Sequence, residues 1–270
     1  MKKTSLSIAL LMTISLTTIA QNKINISQGH KSHLLTKTIS IVKQNAMGQE
    51  MEIKSDVTLD IDIEVKAIIP DILFTQTIKR IQLKSEAMGN SMSFDSDKKE
   101  DRENQAGQLL SGSLDKPLNF HISSVGKPIE NKQDDPAFES AKTMLGDIDE
   151  LNSELFLTVP TNIKLGDHWF DEQIKDADNK SKIEYTVKSI VDEEAVLSFN
   201  GILDKKLNKT MQGIEAIVTA NSIISGELTV NYKTGLIKEK KSEINSKGTT
   251  EVMGQKIEFT VNKITISSSK

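Results

Sequence analysis

Three stretches of the chain repeat nearly the same six residues: Ala46-Met47-Gly48-Gln49-Glu50-Met51, Ala87-Met88-Gly89-Asn90-Ser91-Met92 and Val252-Met253-Gly254-Gln255-Lys256-Ile257. Glycine next to an amide, set between runs that alternate in polarity, marks a tight β-hairpin. A chain that closes three of them is committed to antiparallel sheet. Glycine ahead of Gln or Asn matches the type II′ turn, whose first central position needs a positive φ. That placement makes Gly48-Gln49, Gly89-Asn90 and Gly254-Gln255 the turn residues. It pairs Ala46 with Met51, Ala87 with Met92 and Val252 with Ile257, all apolar. The flanking rungs are polar, as Glu86 with Ser93 and Glu251 with Glu258 show, so each hairpin has a wet and a dry face. The repeat describes architecture and contains no catalytic group.

The same alternation is cleanest from Val57 to Val65, where every odd residue is β-branched or Leu and every even one is Thr or acidic. Such a strand buries one face. Asp60, Asp62 and Glu64 point the other way, as a solvated face that discourages edge pairing or as a surface for a cation or a basic partner. Phe74 to Leu83, Met92 to Phe94 and Phe120 to Val125 continue the sheet. Asp95 to Asn104 has no apolar side chain and reads as a solvated, mobile loop. Asp95, Asp97 and Asp101 have part of the spacing of a calcium loop, but Lys99 and Ala106 occupy positions where ligands are needed. One helix stands out. Asp135 is a good N-cap, Pro136 suits the first helical position, and Phe138, Ala141, Leu145, Ile148 and Leu151 recur at helical spacing.

The second half is β again: Leu155 to Val159, Ile183 to Val191, Ala195 to Leu203, Ile214 to Tyr232, Leu236 to Ile244 and Glu258 to Ile266, with turns at Gly166-Asp167, Asp192-Glu193 and Lys233 to Gly235. The expected fold is mainly β: curved antiparallel meander sheets, a half-barrel or barrel, with one helix packed against them. Its expected divisions are an export signal (1–20), a polar leader (21–33), an N-terminal β half (34–130), a linker with the amphipathic helix (131–153) and a C-terminal β half (154–270). The third hairpin lies far from the first two. Either the halves are distant duplicates or the last hairpin meets the first, which removes two sheet edges.

Residues 1–20 carry the marks of export: Lys2 and Lys3, an apolar run from Leu6 to Ile19, and Thr18-Ile19-Ala20 as a small-x-small cleavage site. The run is short and hydroxyl-rich for a membrane span, and no later stretch approaches one. Two of the 34 basic residues lie in this signal, leaving 32 against 38 acidic ones, a balance of −6. Charges of both signs are interspersed, without the basic stripe that nucleic acid requires. There is no cysteine, which excludes disulfides, thiolate metal sites, Cys nucleophiles and the lipid-modified cysteine of bacterial lipoproteins. The expected location is the periplasm or the extracellular space.

The signal ending in Ala-Gln, the Met-Gly hairpins, Pro160-x5-Gly166-Asp167-x-Trp169, and the run Ile224-Ser-Gly226-Glu-Leu-Thr-Val-Asn-Tyr232-Lys-Thr234-Gly235-Leu236-Ile237 resemble an exported, β-rich family of unknown function common in Bacteroidota. The resemblance covers most of the chain after the signal and implies fold and location, with no activity attached. The chain departs at Tyr232, where such families often carry an Asp, and any role of that acid does not transfer.

Few residues carry a pattern of chemistry. His30 and His33 have metal-like spacing but sit in the polar leader without a companion acid, and His121 falls in a strand. Asp167, His168, Asp171 and Glu172 surround Trp169 as a candidate acid–base cluster, or as a turn and outward-facing strand residues. The chain has no nucleophile elbow, Walker loop or dinucleotide fingerprint. Met47, Met51, Met88, Met92 and Met253 gather flexible thioethers at the hairpins, which suits plain packing or an irregular apolar surface. The leading expectation is a non-enzymatic protein that holds a hydrophobic small molecule or lipid, in a pocket lined by Met51, Met92, Ile61 and Ile63, with no cofactor and no metal. The alternative is a scaffold for an envelope protein partner, using the acidic strand face or a sheet edge. A hydrolase comes third.

Overall fold

The structure, a computed structural model, describes residues 23–46, 49–129, 145, 154–211 and 214–270. Among them are twelve strands, all in one antiparallel sheet: β1 (Lys31–Ala46), β2 (Gln49–Ala67), β3 (Ile72–Ala87), β4 (Asn90–Asp95), β5 (Pro117–Ile122), β6 (Pro128–Ile129), β7 (His168–Ile174), β8 (Lys180–Val191), β9 (Glu194–Met211), β10 (Ile214–Asn231), β11 (Leu236–Val252) and β12 (Gln255–Ser269). Their spatial order is β6-β5-β3-β2-β1-β12-β11-β10-β9-β8-β7, with β4 paired beside β3. The sheet is curved and not closed. The central joint is β1 against β12, in register from Leu34–Ser269 to Asn45–Glu258, so the first and last hairpins do meet.

The hairpins form with a different turn. Ala87 pairs with Asn90 and Val252 with Gln255, which leaves Met88-Gly89 and Met253-Gly254 at the tips. Both central residues have positive φ, 51° and 78° in each case, the signature of a type I′ turn. The expected II′ placement is therefore off by one residue, because methionine itself takes the left-handed position. In the first hairpin Ala46 pairs with Gln49, and the two residues between them lie outside the described ones. Met51 consequently faces Gln44, Met92 faces Ser85 and Ile257 faces Thr250. Glu251 faces Lys256, whose ammonium is 3.9 Å away, rather than Glu258. The slip is two residues in the pairing, so every side chain keeps its face.

The strands bury one face, the concave one. Two clusters of buried side chains form there. The first gathers Leu34, Ile61, Ile63, Phe74, Ile78, Ile81, Leu83 and Phe94 with Leu155 and Phe156. The second gathers Trp169, Tyr185, Val187, Leu197, Phe199, Leu228 and Val230 with Leu157 and Val159. Residues 155–159, expected as a strand, instead form, with Glu154, a strap across the end of the sheet. The Leu157 N–H bonds the Gly235 carbonyl and the Ile237 N–H bonds that of Leu155, at 2.8 and 2.9 Å. Phe156 meets Phe74 edge-on at 5.6 Å, and Phe74 stacks on Phe120.

Part of the expected polar leader also belongs to this end. Ile24 is buried, its N–H bonds the Ser124 carbonyl, and the Asn25 N–H bonds that of Thr234, which ties the two β halves together. The first strand begins at Lys31, so His33 lies within it. Leu145 is helical and packs on the first cluster; the rest of the helix expected over 131–153 lies outside the described residues.

The stretch from Asp95 to Asn104 is an ordered corner leading through α1 (Lys99–Glu103) into α2 (Gln105–Leu110). Asp95 accepts the Gln82 amide at 2.9 Å and the Asp97 N–H at 3.1 Å, and the Asp101 carboxylate accepts the Asp95 N–H at 2.8 Å. Arg80 spans Asp95 and Asp97. The polar side chains that make the segment look solvated are its internal hydrogen-bond partners.

Where aromatic rings cross strands, glycine makes room. Phe199 lies over Gly226 and Phe259 over Gly248, and a Cβ added at either glycine comes within 2.6 Å of a ring carbon. Gly254→Ala, which meets nothing within 4 Å, costs only the strain of its positive φ, about 1 kcal/mol. Gly226→Ala meets the Lys241 carbonyl oxygen at 2.1 Å as well as the Phe199 ring and costs about 3 kcal/mol; urea unfolding midpoints compare the two. The Gln82 amide, then the Asp97 N–H and Arg80, hold the Asp95 carboxyl below the usual carboxylate range. Its folded value lies below its unfolded one. The stabilisation is therefore complete above about pH 4 and is lost as pH falls through the folded value. Asp95→Asn shows a smaller drop in unfolding midpoint on acidification than the unmodified chain.

Candidate functional site

Along the central strands the concave face changes character in rows. At the strapped end, Leu34, Ile61, Ile63 and Ile78 are fully buried. Toward the middle, Thr38 and Thr265 share a hydrogen bond of 3.1 Å across β1 and β12. The next row runs Ser85, Ser55, Ser40 and Lys263 on adjacent strands, with Ser40 and Ser55 bonded at 2.7 Å. Beyond it the face turns apolar again without becoming buried. Ile53, Val42 and Val261 form one row, Phe259 stands in the following row beside Gln44, and Ile257 and Val218 lie nearer the tips. All six apolar side chains are half-buried. Apolar side chains at inward positions, without cover among the described residues, are the feature that sets this half of the sheet apart.

A buried charge pair lies within the packed half. Glu154, on the strap, reaches Lys240 Nζ at 2.8 Å and accepts the Ser267 hydroxyl at 2.7 Å. Both charged side chains are 10% exposed. Lys240 also stands 5.8 Å over the Phe199 ring. Burial, with the carboxylates of Asp171 and Glu154 nearby, pushes the Tyr185 phenol up, so this aromatic stack stays neutral.

The four residues expected to line a pocket occupy two places. Ile61 and Ile63 are in the packed core. Met51 lies on the same face of β2, ten residues from Ile61, or about 34 Å along a strand, in the open half and half-buried. Met92 is 38% exposed on β4 opposite Ser85. Met88 and Met253 sit at hairpin tips, 69% and 83% exposed. The rows above the serines, which include Met51 but not Met92, make up the open apolar face. The signal for them was the inward parity of Val42, Ile53, Phe259 and Val261, readable only once β1 and β12 are known to pair.

The candidate acid–base residues are divided by strand parity. Trp169 and Asp171 point inward, whereas His168 and Glu172 alternate to the opposite face. Asp167 closes the turn by accepting the Lys164 N–H at 2.7 Å. The acidic row on β2 meets basic side chains of its own chain: the His33 ring nitrogens lie 2.8 Å from Asp60 and 3.1 Å from Asp62, and Lys66 lies 2.8 Å from Glu64. Among the described residues no group of three His, Asp or Glu is placed to hold a metal ion, and no helix is long and apolar enough to cross a membrane. A groove of about 260 Å³ on the convex side is lined by charges of both signs, including Lys37, Asp56, Lys84, Asp95 and Lys98.

A model of a family of unknown function, DUF6263, matches residues 70–161 and again residues 151–237. The chain belongs to the DUF6263 family. The two matches overlap at the strap, and β1 and β12 lie outside both. No curated protein sequence matches the chain. Among solved structures, one of lipovitellin, described in terms of its lipid–protein interactions, is similar over 91% of this chain, with 13% identity and a TM-score of 0.54. This DUF6263 chain spans 25% of the lipovitellin chain, and the likeness is one of fold. An outer-membrane channel from Pseudomonas putida F1 aligns over 92% of this chain and 98% of its own, with 8% identity and a TM-score of 0.24.

Removing one partner of the Glu154–Lys240 pair strands a buried charge. Lys240→Met alone lowers stability by about 3–5 kcal/mol, whereas Glu154→Leu combined with Lys240→Met recovers most of the loss. Urea denaturation of the three proteins checks the coupling.

Proposed function

We propose that this is an exported protein of the cell envelope that holds a hydrophobic, lipid-like molecule on its concave face without transforming it. The observation that carries the reading is the half-buried apolar strip of Val42, Ile53, Val261 and Phe259, on the inward side of a curved sheet whose other end is already packed. Half-buried apolar side chains facing the concavity are favoured to take up hydrocarbon, at roughly 25 cal/mol per Å² removed from water. Met51 and Met92 border this strip, and their flexible thioethers suit an irregular apolar guest. Ile61 and Ile63 form the packed floor beyond it. The fold shared with lipovitellin, a protein described by its lipid–protein interactions, supports the same reading. Residues 1–20 and the resemblance to exported Bacteroidota proteins support delivery to the periplasm or beyond.

The partner-binding alternative loses part of its surface, because Asp60 and Asp62 already engage His33, and Glu64 pairs with Lys66, within the chain. Mass spectrometry of the protein purified natively from its own envelope, then denatured, tests the proposal. A stoichiometric lipid or small hydrophobe is expected on denaturation, and Val261→Glu, at a half-buried position, folds but carries none. A ligand-free protein that also fails to take up an added hydrophobic probe overturns the reading.

A further inference from the structure

Folding alone does not account for the Met-Gly tips. A type I′ turn favours Asn-Gly, because asparagine takes the left-handed position with little strain. Met88 and Met253 take it instead, each at φ 51°. In the β8–β9 turn at the strapped end, an aspartate, Asp192, holds the left-handed position at φ 53°. The two methionines are 69% and 83% exposed and belong to neither buried cluster. A Cβ added at the neighbouring Gly89 or Gly254 meets no atom within 4 Å. Both tips lie on one rim of the sheet. Ala87 is in register with Ile53 near the start of β2, and Glu258 near the start of β12 is in register with Asn45 at the end of β1. In the sequence, methionine also stands at the other two strand junctions of this rim, Met47 between β1 and β2 and Met211 at the end of β9.

The concave strip opens at the same rim. Val42, Ile53, Val261 and Phe259 lead toward it, and the strap fills the opposite end. Lysines close to the tips are compensated within the chain. Lys256 lies 3.9 Å from Glu251, and Lys54 lies 3.0 Å from Glu52 with the Glu86 carboxylate also acting on it. These lysines are not spare charges for an anionic head group. Resting in part on the reading that the strip holds a hydrophobic molecule, we infer that the Met88 and Met253 tips seat the protein on an uncharged, zwitterionic lipid surface, with the mouth of the strip facing it. Methionine suits that place. It is apolar, unbranched and adaptable, so it enters an irregular head-group layer without needing a shaped pocket. Two thioethers give shallow, reversible contact rather than anchoring. A guest then passes between bilayer and strip without crossing open water.

Co-sedimentation with phosphatidylcholine vesicles, using protein purified natively from its own envelope, tests the assignment. The unmodified protein binds equally in low and high salt, and added phosphatidylglycerol does not tighten it. Met88→Asn combined with Met253→Asn installs the preferred Asn-Gly turn, so the variant folds at least as well as its parent. It nevertheless partitions about ten-fold less. Val191→Asn, which removes an apolar side chain 67% exposed at the strapped end, leaves partitioning unchanged. Undiminished binding by the double variant, an equal loss in Val191→Asn, or binding that needs phosphatidylglycerol overturns the inference. So does a dimer that the double variant dissolves without any vesicle binding, which assigns the tips to a second copy. If vesicles are not bound but oleyl alcohol still enters the strip, the inference fails and the concave-face reading stands; if neither is bound, both fail.

Discussion

The pairing of β1 with β12 is the interaction on which the remaining architecture depends. It joins strands from opposite ends of the described chain over a continuous register from Leu34–Ser269 to Asn45–Glu258, and the Thr38–Thr265 bond closes a separation of 227 residues. Without it there are two smaller sheets, each with one more exposed edge. With it, β2 and β11 become near neighbours, and Ile53, Val42 and Val261 fall into one row. Lys263 likewise stands beside Ser40 only because of this joint. Such non-local pairing is entropically expensive to form and folds slowly, so the local hairpins are expected to form ahead of it.

A second constraint decides which half of the concave face is filled. The strap at residues 154–159 contributes Leu155 and Phe156 to one buried cluster and Leu157 and Val159 to the other. It is held by backbone bonds to Gly235 and Ile237 and by the Glu154–Lys240 pair. Residues 24 and 25 stitch the same end from the other side. These contacts reach only partway along strands of 15 to 19 residues in the middle of the sheet. Beyond the serine row the strands continue with inward apolar side chains and are left half-buried. The site therefore follows from a mismatch between long strands and a short plug.

Much of this was legible in the sequence, and the failures have physical causes. Alternation located nearly every strand, and Asp192-Glu193 and Gly166-Asp167 turn where the composition placed them. The hairpin turns were misplaced by one residue because a methionine at φ 51° is a choice that propensity disfavours. β9 and β11 extend eight residues past Leu203 and Ile244, since inward lysine, serine and glycine there erase the apolar period that marks a buried face. Asp95 to Asn104 looked solvated because its acids and amides bond one another within the chain. The site was half legible. Met51 belongs to the open face, but Ile61 and Ile63 carry the same pattern and are buried, and no local signal distinguishes the two ends of one strand.

The central claim is that the open apolar strip on the inward face, and no other surface, receives hydrocarbon. The chain contains no cysteine, so single cysteines can report on each face separately. Val261→Cys on the concave side and Ile266→Cys on the convex side are each labelled with an environment-sensitive dye and titrated with oleyl alcohol. The account predicts a saturable blue shift at position 261 and none at position 266. A shift at 266 alone, or at neither position, contradicts it.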